Sequence, residues 1–312
     1  MLTPPQIADL RQKRYNATVS RLVKVHSDLM LMRVRPDFTR PQHKPGQYSM
    51  LGLGYWEPRI PGCEEETFQP SDEAKLARRA YSISCPVLNY RHTDLLDLSQ
   101  TDWLEFYIVL VRKAGNPQVP VLTPRLFMLR EGDSLFLGER ITGHYNLDAV
   151  QPSDTVVLLS TGTGEAPHNY MIWDLLRRGH AGRIFSACCV RNARDLAYLP
   201  MHVQLMRMFP SYTYLSLTTR ENLREGRKVY IQDLITSGQL EAALGGTLNP
   251  AKTHVFLCGN PAMIGVPNKD PQTGARVYPQ PTGVVEILEG RGFQVDQANA
   301  KIKGNIHYEE YW

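Results

Sequence analysis

The segment Ser160-Thr161-Gly162-Thr163-Gly164-Glu165-Ala166-Pro167 has the residue types and spacing best suited to chemistry. A short apolar run, TVVLLS, ends in small residues, passes through two glycines and leads into APHNYMIWDLLRRG, whose apolar spacing reads as a helix ending at Gly179. Glycines let the backbone turn tightly and approach a ligand closely, and a helix N-terminus favours an anion, so the pattern suits phosphate binding. It is neither GxGxxG nor a P-loop with its Lys, and spacing alone fits an ordinary tight βα turn equally well. Glu165 is discordant. A carboxylate beside a phosphate is repelled, so its side chain is expected to face the helix or solvent.

The cysteines offer no rival chemistry. Cys63, Cys85, Cys188, Cys189 and Cys258 are odd in number and lack metal-site spacing, and adjacent Cys188 and Cys189 should point to opposite faces of a strand. Neither disulfide stapling nor a bound metal is expected, and no C-x4-C-x2-C iron–sulfur pattern is present.

These residues need elements to hold them, and 312 residues suffice for two ordinary domains. The first half reads as strands. VSRLVKVHSDLMLMRVRP supplies two joined at His26 to Asp28, GQYSMLGLG follows, and WLEFYIVLVRKA is a longer one, so an antiparallel barrel or sandwich is expected. The second half alternates strand and helix: TVVLLS, then RIFSACCVR, a helix over Leu199 to Phe209, TYLSLTTRE, a helix over Tyr230 to Leu244, and THVFLCGNP. That alternation predicts a parallel sheet covered on both faces. The domains are expected at 1–152 and 153–312, with proline-containing excursions at 56–76 and 264–282.

Composition narrows the class further. The chain is 42% hydrophobic and 21% charged, has no apolar run near the roughly 18 residues of a membrane span, and begins without an apolar signal core, so a soluble cytoplasmic protein is expected. The net charge of +4 is uneven: Glu57, Glu64, Glu65, Glu66, Asp72 and Glu73 against Arg59 and Lys75 give segment 56–76 a charge of −4, leaving +8 elsewhere. A basic body suits an acidic partner or a phosphorylated ligand, and equally serves plain solubility.

Four short motifs in order carry a family resemblance over nearly the whole chain: Arg79-Ala80-Tyr81-Ser82, the Gly162–Pro167 turn, Cys258-Gly259-Asn260-Pro261 and the terminal Trp312. The chain resembles the bacterial ferredoxin/flavodoxin–NADP(+) reductases. The resemblance implies an antiparallel β-barrel FAD domain followed by an α/β parallel-sheet domain for NADP(H), with electrons passing between NADP(H) and an acidic one-electron carrier, ferredoxin or flavodoxin. It implies FAD contacts from Arg79 (pyrophosphate), Ala80, Tyr81 (against the isoalloxazine), Ser82 (near N5), Thr123 and Trp312. Thr123 is expected to cap a short helix beginning near Pro124. Pro124 and Arg125 depart from the family form, and Arg125 reads nearly as well as an ordinary surface residue.

For NADP(H) the resemblance implies Thr161, Gly162, Thr163, Gly164, Cys258 and Gly259 around the nicotinamide nucleotide. Arg191, Arg220 and Lys228 should meet the 2′-phosphate, with Arg227 nearby and Arg224 a weaker candidate, because a dianion is best held by Arg forks. Ser82, Cys258 and Trp312 fall at the reacting centre, with Glu309 or Glu310 nearby. Two other readings stay open: a reductase for a different acceptor or an oxygenase component, and a flavin- and nucleotide-binding protein without turnover. Nucleic-acid binding is not implied.

Overall fold

The computed structural model describes residues 2–67, 69–113, 119–221, 226–296 and 303–311, so Arg224 and Trp312 lie outside the described residues. Contacts divide the chain into two compact units, Met1–Cys85 with Asp97–His144, and Pro86–Leu96 with Tyr145–Trp312.

The first unit opens with helix α1 (Pro4–Arg14), which buries no side chain. Its polar sequence offers no apolar stripe, so side-chain bonds at its end hold it down. Arg11 donates to Glu57 from Nε at 2.8 Å and Nη2 at 2.6 Å, and the Tyr15 hydroxyl donates to the same carboxylate at 2.8 Å. Strands β1 (Ala17–His26), β2 (Leu29–Pro36), β3 (Tyr48–Gly54), β4 (Leu76–Ser82) and β5 (Leu104–Val109) follow. After a single turn of helix, α2 (Thr123–Leu126), comes β6 (Ser134–Leu137). The six strands form one antiparallel sheet in the order β4-β3-β6-β1-β2-β5. Just past β4, Ser84 bridges to Glu105 of β5, its N–H donating to the Glu105 carbonyl at 2.8 Å. The two edge strands therefore meet, which closes the sheet as a barrel requires.

The acidic excursion packs down on this unit. The Ile60 N–H donates to the Pro124 carbonyl at 2.9 Å, the Glu64 N–H to the Arg112 carbonyl at 2.8 Å, and Arg59 Nη2 to the Pro120 carbonyl at 2.8 Å. Arg125 is the main anchor, and it corrects the surface reading of that residue: at 2% exposure it is wholly buried. Its guanidinium forms a forked pair with Glu66 and also donates to the carbonyls of Gly54, Tyr55 and Val121. An arginine so satisfied has no donor left for a phosphate.

The second unit is a five-stranded parallel sheet, β13-β10-β7-β8-β9, formed by β7 (Thr155–Thr161), β8 (Ile184–Val190), β9 (Tyr212–Thr218), β10 (Thr253–Gly259) and β13 (Ile306–Glu310). Successive side chains alternate between its faces. Val157, Leu159, Phe185, Val255 and Leu257 pack against α5 (Ile231–Thr236), α6 (Gln239–Leu244) and α8 (Val284–Glu289). Helix α3 (Glu165–Arg177) follows β7 and helix α4 (Leu199–Met208) follows β8. The single helix expected over Tyr230 to Leu244 is broken by Gly238, which adopts a left-handed conformation between α5 and α6.

Segment 264–282 leaves the end of α7 (Pro261–Ile264) and contains a small hairpin of β11 (Asn268–Lys269) and β12 (Arg276–Val277). Arg276 ties it to Glu289 of α8 at 2.7 and 2.8 Å. All five cysteines are free; Cys189 joins the α5–α6–α8 core while Cys188 turns the other way, its Sγ 3.7 Å from the Gly162 carbonyl. Among the described residues no helix is long and apolar enough to cross a membrane.

Candidate functional site

In the second unit the named residues gather at the C-terminal ends of the parallel strands, the edge where open α/β sheets hold ligands. Strand β7 runs out through Thr161 into a tight turn over Gly162–Gly164, and α3 starts at the next residue. The turn lies directly on the end of β10. A Cβ on Gly164 would sit 2.3 Å from the Cys258 carbonyl oxygen, and one on Gly259, whose φ is +126°, would sit 2.2 Å from Thr161 Oγ1. Only glycine fits at either place. Thr161 Oγ1 then accepts the Asn260 N–H at 2.7 Å, and the Asn260 side chain caps α7 by accepting the Ala262 N–H at 2.8 Å. Two motifs nearly a hundred residues apart in sequence thus make one surface.

Strand β13 brings the chain end to the same place. Its register sets Glu309 beside Cys258 and Glu310 beside Gly259, and the Tyr311 N–H donates to the Gly259 carbonyl at 2.8 Å. Burial, with Glu309 adding to it, pushes the Cys258 thiol well above its ordinary pKa, so it is a neutral packing group and no nucleophile. Burial likewise raises the carboxyl of Glu310. Tyr145, whose hydroxyl pairs with His168 Nε2 at 2.7 Å, packs its ring edge on Phe256 of β10.

Arg191 leaves the end of β8 and Arg220 follows the end of β9, both exposed. The Arg220 N–H donates to the Arg191 carbonyl at 2.9 Å, so the two arginines are adjacent. Among the described residues neither has an ion-pair partner within 4.0 Å; Lys228 and Arg227 are exposed before α5. Glu221 lies beside the group, accepting the Ala193 N–H at 2.6 Å.

Glu165 departs from expectation, facing neither the helix surface nor solvent. At 1% exposure it is buried against α4 and β9, where Oε1 accepts the Tyr214 hydroxyl at 2.7 Å and His202 Nε2 at 3.1 Å. His202 Nδ1 pairs in turn with the Tyr212 hydroxyl at 2.8 Å. The carboxylate therefore points away from the ligand-facing side of the turn. His202, Tyr212 and Tyr214 carried no sequence signal, since nothing in their spacing links them to the turn.

In the first unit Arg79 and Tyr81 stand two residues apart on β4, on one face of the strand, with Arg79 exposed and Tyr81 half-buried. Arg79 Nη1 donates to the Arg78 carbonyl at 2.9 Å, while Arg78 takes the opposite face and lies over Phe136 at 4.1 Å. Ser82 is buried, and close packing raises the Tyr81 phenol above its ordinary pKa. Thr123 does not cap α2: it is the first helical residue, and its hydroxyl accepts the Val111 N–H at 3.2 Å instead. Among the described residues no group of three His, Cys, Asp or Glu side chains could hold a metal ion.

An antiparallel barrel joined to a parallel α/β unit with a glycine turn at its strand ends defines a nucleotide-binding oxidoreductase fold. Residues 158–269 match the family model described as "Oxidoreductase NAD-binding domain". The chain is 33% identical over 165 residues to the flavodoxin/ferredoxin–NADP reductase of Escherichia coli K12, covering 52% of this chain and 63% of that protein. It is 31% identical over 231 residues to the ferredoxin–NADP reductase of Pseudomonas aeruginosa PAO1, covering 71% of this chain and 75% of that protein. The crystal structure of a Neisseria gonorrhoeae ferredoxin NADP+ reductase with bound FAD and NADP superposes with a TM-score of 0.68 at 20% identity, over 95% of this chain and 97% of that one. The chain belongs to the ferredoxin–NADP reductase family. Its match spans 63% of the length of the first relatives, from Shigella flexneri and E. coli.

Proposed function

We propose that the protein is an FAD-dependent oxidoreductase that transfers electrons between NADP(H) and a one-electron carrier such as ferredoxin or flavodoxin. The observation that carries this reading is the Arg191–Arg220 pair, exposed and joined by a backbone bond at the same sheet edge as the Gly162–Gly164 turn. Two guanidinium forks on adjacent strand ends suit the 2′-phosphate that separates NADP(H) from NAD(H), with Lys228 in support. Thr161 to Gly164 with Cys258 and Gly259 form a close-packed floor for the nicotinamide nucleotide. Segment 153–312 is accordingly the NADP(H) domain and 1–152 the FAD domain.

The residues of β4 fit FAD. Arg79 is exposed with guanidinium donors beyond the one held by Arg78, and Tyr81 offers a ring on the same face two residues on. Ala80 is the small spacer, and Ser82 the hydroxyl nearest the family's flavin N5 position. Thr123 contributes from α2, where its hydroxyl accepts the Val111 N–H and keeps its own proton to donate. Bound FAD supplies the division of a hydride's two electrons into single steps. The protein binds and orients the reactants: Cys258 stays neutral and packed beside Glu309, and Tyr311, which precedes Trp312 in the sequence, is held at Gly259. Reduced thiols suit the cytoplasm. A basic body with its excursion acids Glu57 and Glu66 already paired to Arg11 and Arg125 suits an acidic carrier.

Anaerobic mixing of the purified yellow protein with NADPH tests the reading. The flavin absorbance should bleach far faster with NADPH than with NADH, and added ferredoxin or flavodoxin should then be reduced. Flavin that stays oxidised with either nucleotide would overturn the proposal.

A further inference from the structure

Glu165 stands one residue beyond the nucleotide turn, yet its side chain serves the far side of it. A buried carboxylate is costly, and Glu165 is only partly compensated: Oε1 takes two donors, while Oε2 has no hydrogen-bond partner among the described residues. The α3 N-terminus offsets part of the charge. A neutral residue would be less costly there, so its presence asks for a role beyond stability.

Oε1 is the shared acceptor, taking the Tyr214 hydroxyl at 2.7 Å and His202 Nε2 at 3.1 Å. On the other side of the ring His202 Nδ1 pairs with the Tyr212 hydroxyl at 2.8 Å. The His202 and Tyr214 rings stack at 3.9 Å between centroids with an 11° interplanar angle, which leaves little freedom to slide. Burial and Glu165 push the Tyr214 phenol well above its ordinary pKa, so it remains a donor.

Three elements are thereby joined at one oxygen: the first residue of α3, helix α4 and strand β9. Strand β9 runs on to Arg220, which is bonded to Arg191. On its other side the turn is stopped by the Cys258 carbonyl. We propose that Glu165 is a positioning residue, setting through His202 and Tyr214 the distance between the nucleotide turn and the Arg191–Arg220 pair. This rests on the NADP(H) reading given above. NADP+ must reach both places at once, whereas adenosine 2′,5′-bisphosphate engages the arginine end alone, so the two ligands separate spacing from general damage.

Calorimetric titration of the FAD-loaded protein with each ligand is the test. Glu165→Ala should weaken NADP+ by about tenfold or more, the scale of lost hydrogen bonds to a charged group, and raise the KM for NADPH in parallel. Binding of adenosine 2′,5′-bisphosphate should change by less than about twofold. Glu165→Gln keeps an oxygen acceptor for both donors and should stay within about threefold of wild type for NADP+. Tyr214→Phe removes one donor, remains testable if the alanine variant fails to fold, and should weaken NADP+ selectively by about threefold. Equal losses for both ligands, or none for NADP+, in folded variants would overturn the proposal. Wild-type protein that binds neither ligand would instead defeat the NADP(H) reading itself.

Discussion

At the scale of single residues, the proposed preference for NADP(H) rests on the arginine pair. Arg191 and Arg220 are exposed, adjacent and without ion-pair partners among the described residues, so each can present a fork to a dianion. Replacing either by Ala should raise the KM for NADPH by about tenfold or more, the scale of lost charge-assisted bonds, and leave that for NADH within about twofold. Steady-state assays with both nucleotides decide it; equal rises would remove the pair from 2′-phosphate recognition. Glu221, held by the Ala193 N–H, sits beside these cations, so Glu221→Gln should lower the KM for NADPH modestly in the same assay.

The decisive element is the excursion over 56–76 with its buried anchor. Glu66→Ala strands the Arg125 guanidinium in the interior, still bonded to carbonyls but without its counter-charge, and should cost about 3 kcal/mol. Chemical denaturation should register that loss, and limited proteolysis should cut within 57–76. Replacing Glu66 and Arg125 together with Leu and Met should recover part of the stability, because the desolvation of both charges is then no longer required while the carbonyls of Gly54, Tyr55 and Val121 lose their donor. A single variant as stable as wild type would mean that the excursion is held by its backbone bonds instead.

What could be read at this scale followed from local signals. Strand β7, its glycine turn and α3 were legible because a buried apolar run, two glycines and a helical period lie together. Helix α1 was not, because it buries nothing and has no apolar stripe. Nor was β13: IHYEEYW looks polar, and only pairing with β10 makes Ile306 and His307 interior residues. Arg125 and Glu165 were misplaced for the same reason. Their partners Glu66, His202 and Tyr214 lie dozens of residues away, and charge on an isolated residue reads as surface.

At the scale of the whole molecule, acid sensitivity follows from histidines enclosed as neutral rings. His168 is completely buried, pairs with the Tyr145 hydroxyl at 2.7 Å, and is pushed by burial from 6.5 down to about 3. Burial also lowers His43, His180 and His254. For each of these groups the folded value lies below the unfolded one, so the unfolded chain takes up the proton first as pH falls. For His168 the stabilising contribution is complete above about 6.5 and is lost progressively as pH drops toward about 3. Within that window one such group should cost up to about 1.4 kcal/mol per pH unit. Urea midpoints measured between pH 7 and pH 4 should therefore fall more steeply for wild type than for His168→Gln, which presents a neutral amide to Tyr145 at every pH. The variant is expected to start less stable at pH 7, since the ring's packing is lost, and to converge on wild type as the pH falls. Parallel midpoint curves would show that His168 is already solvated or protonated in the folded protein, and would shift the acid sensitivity to His43, His180 and His254.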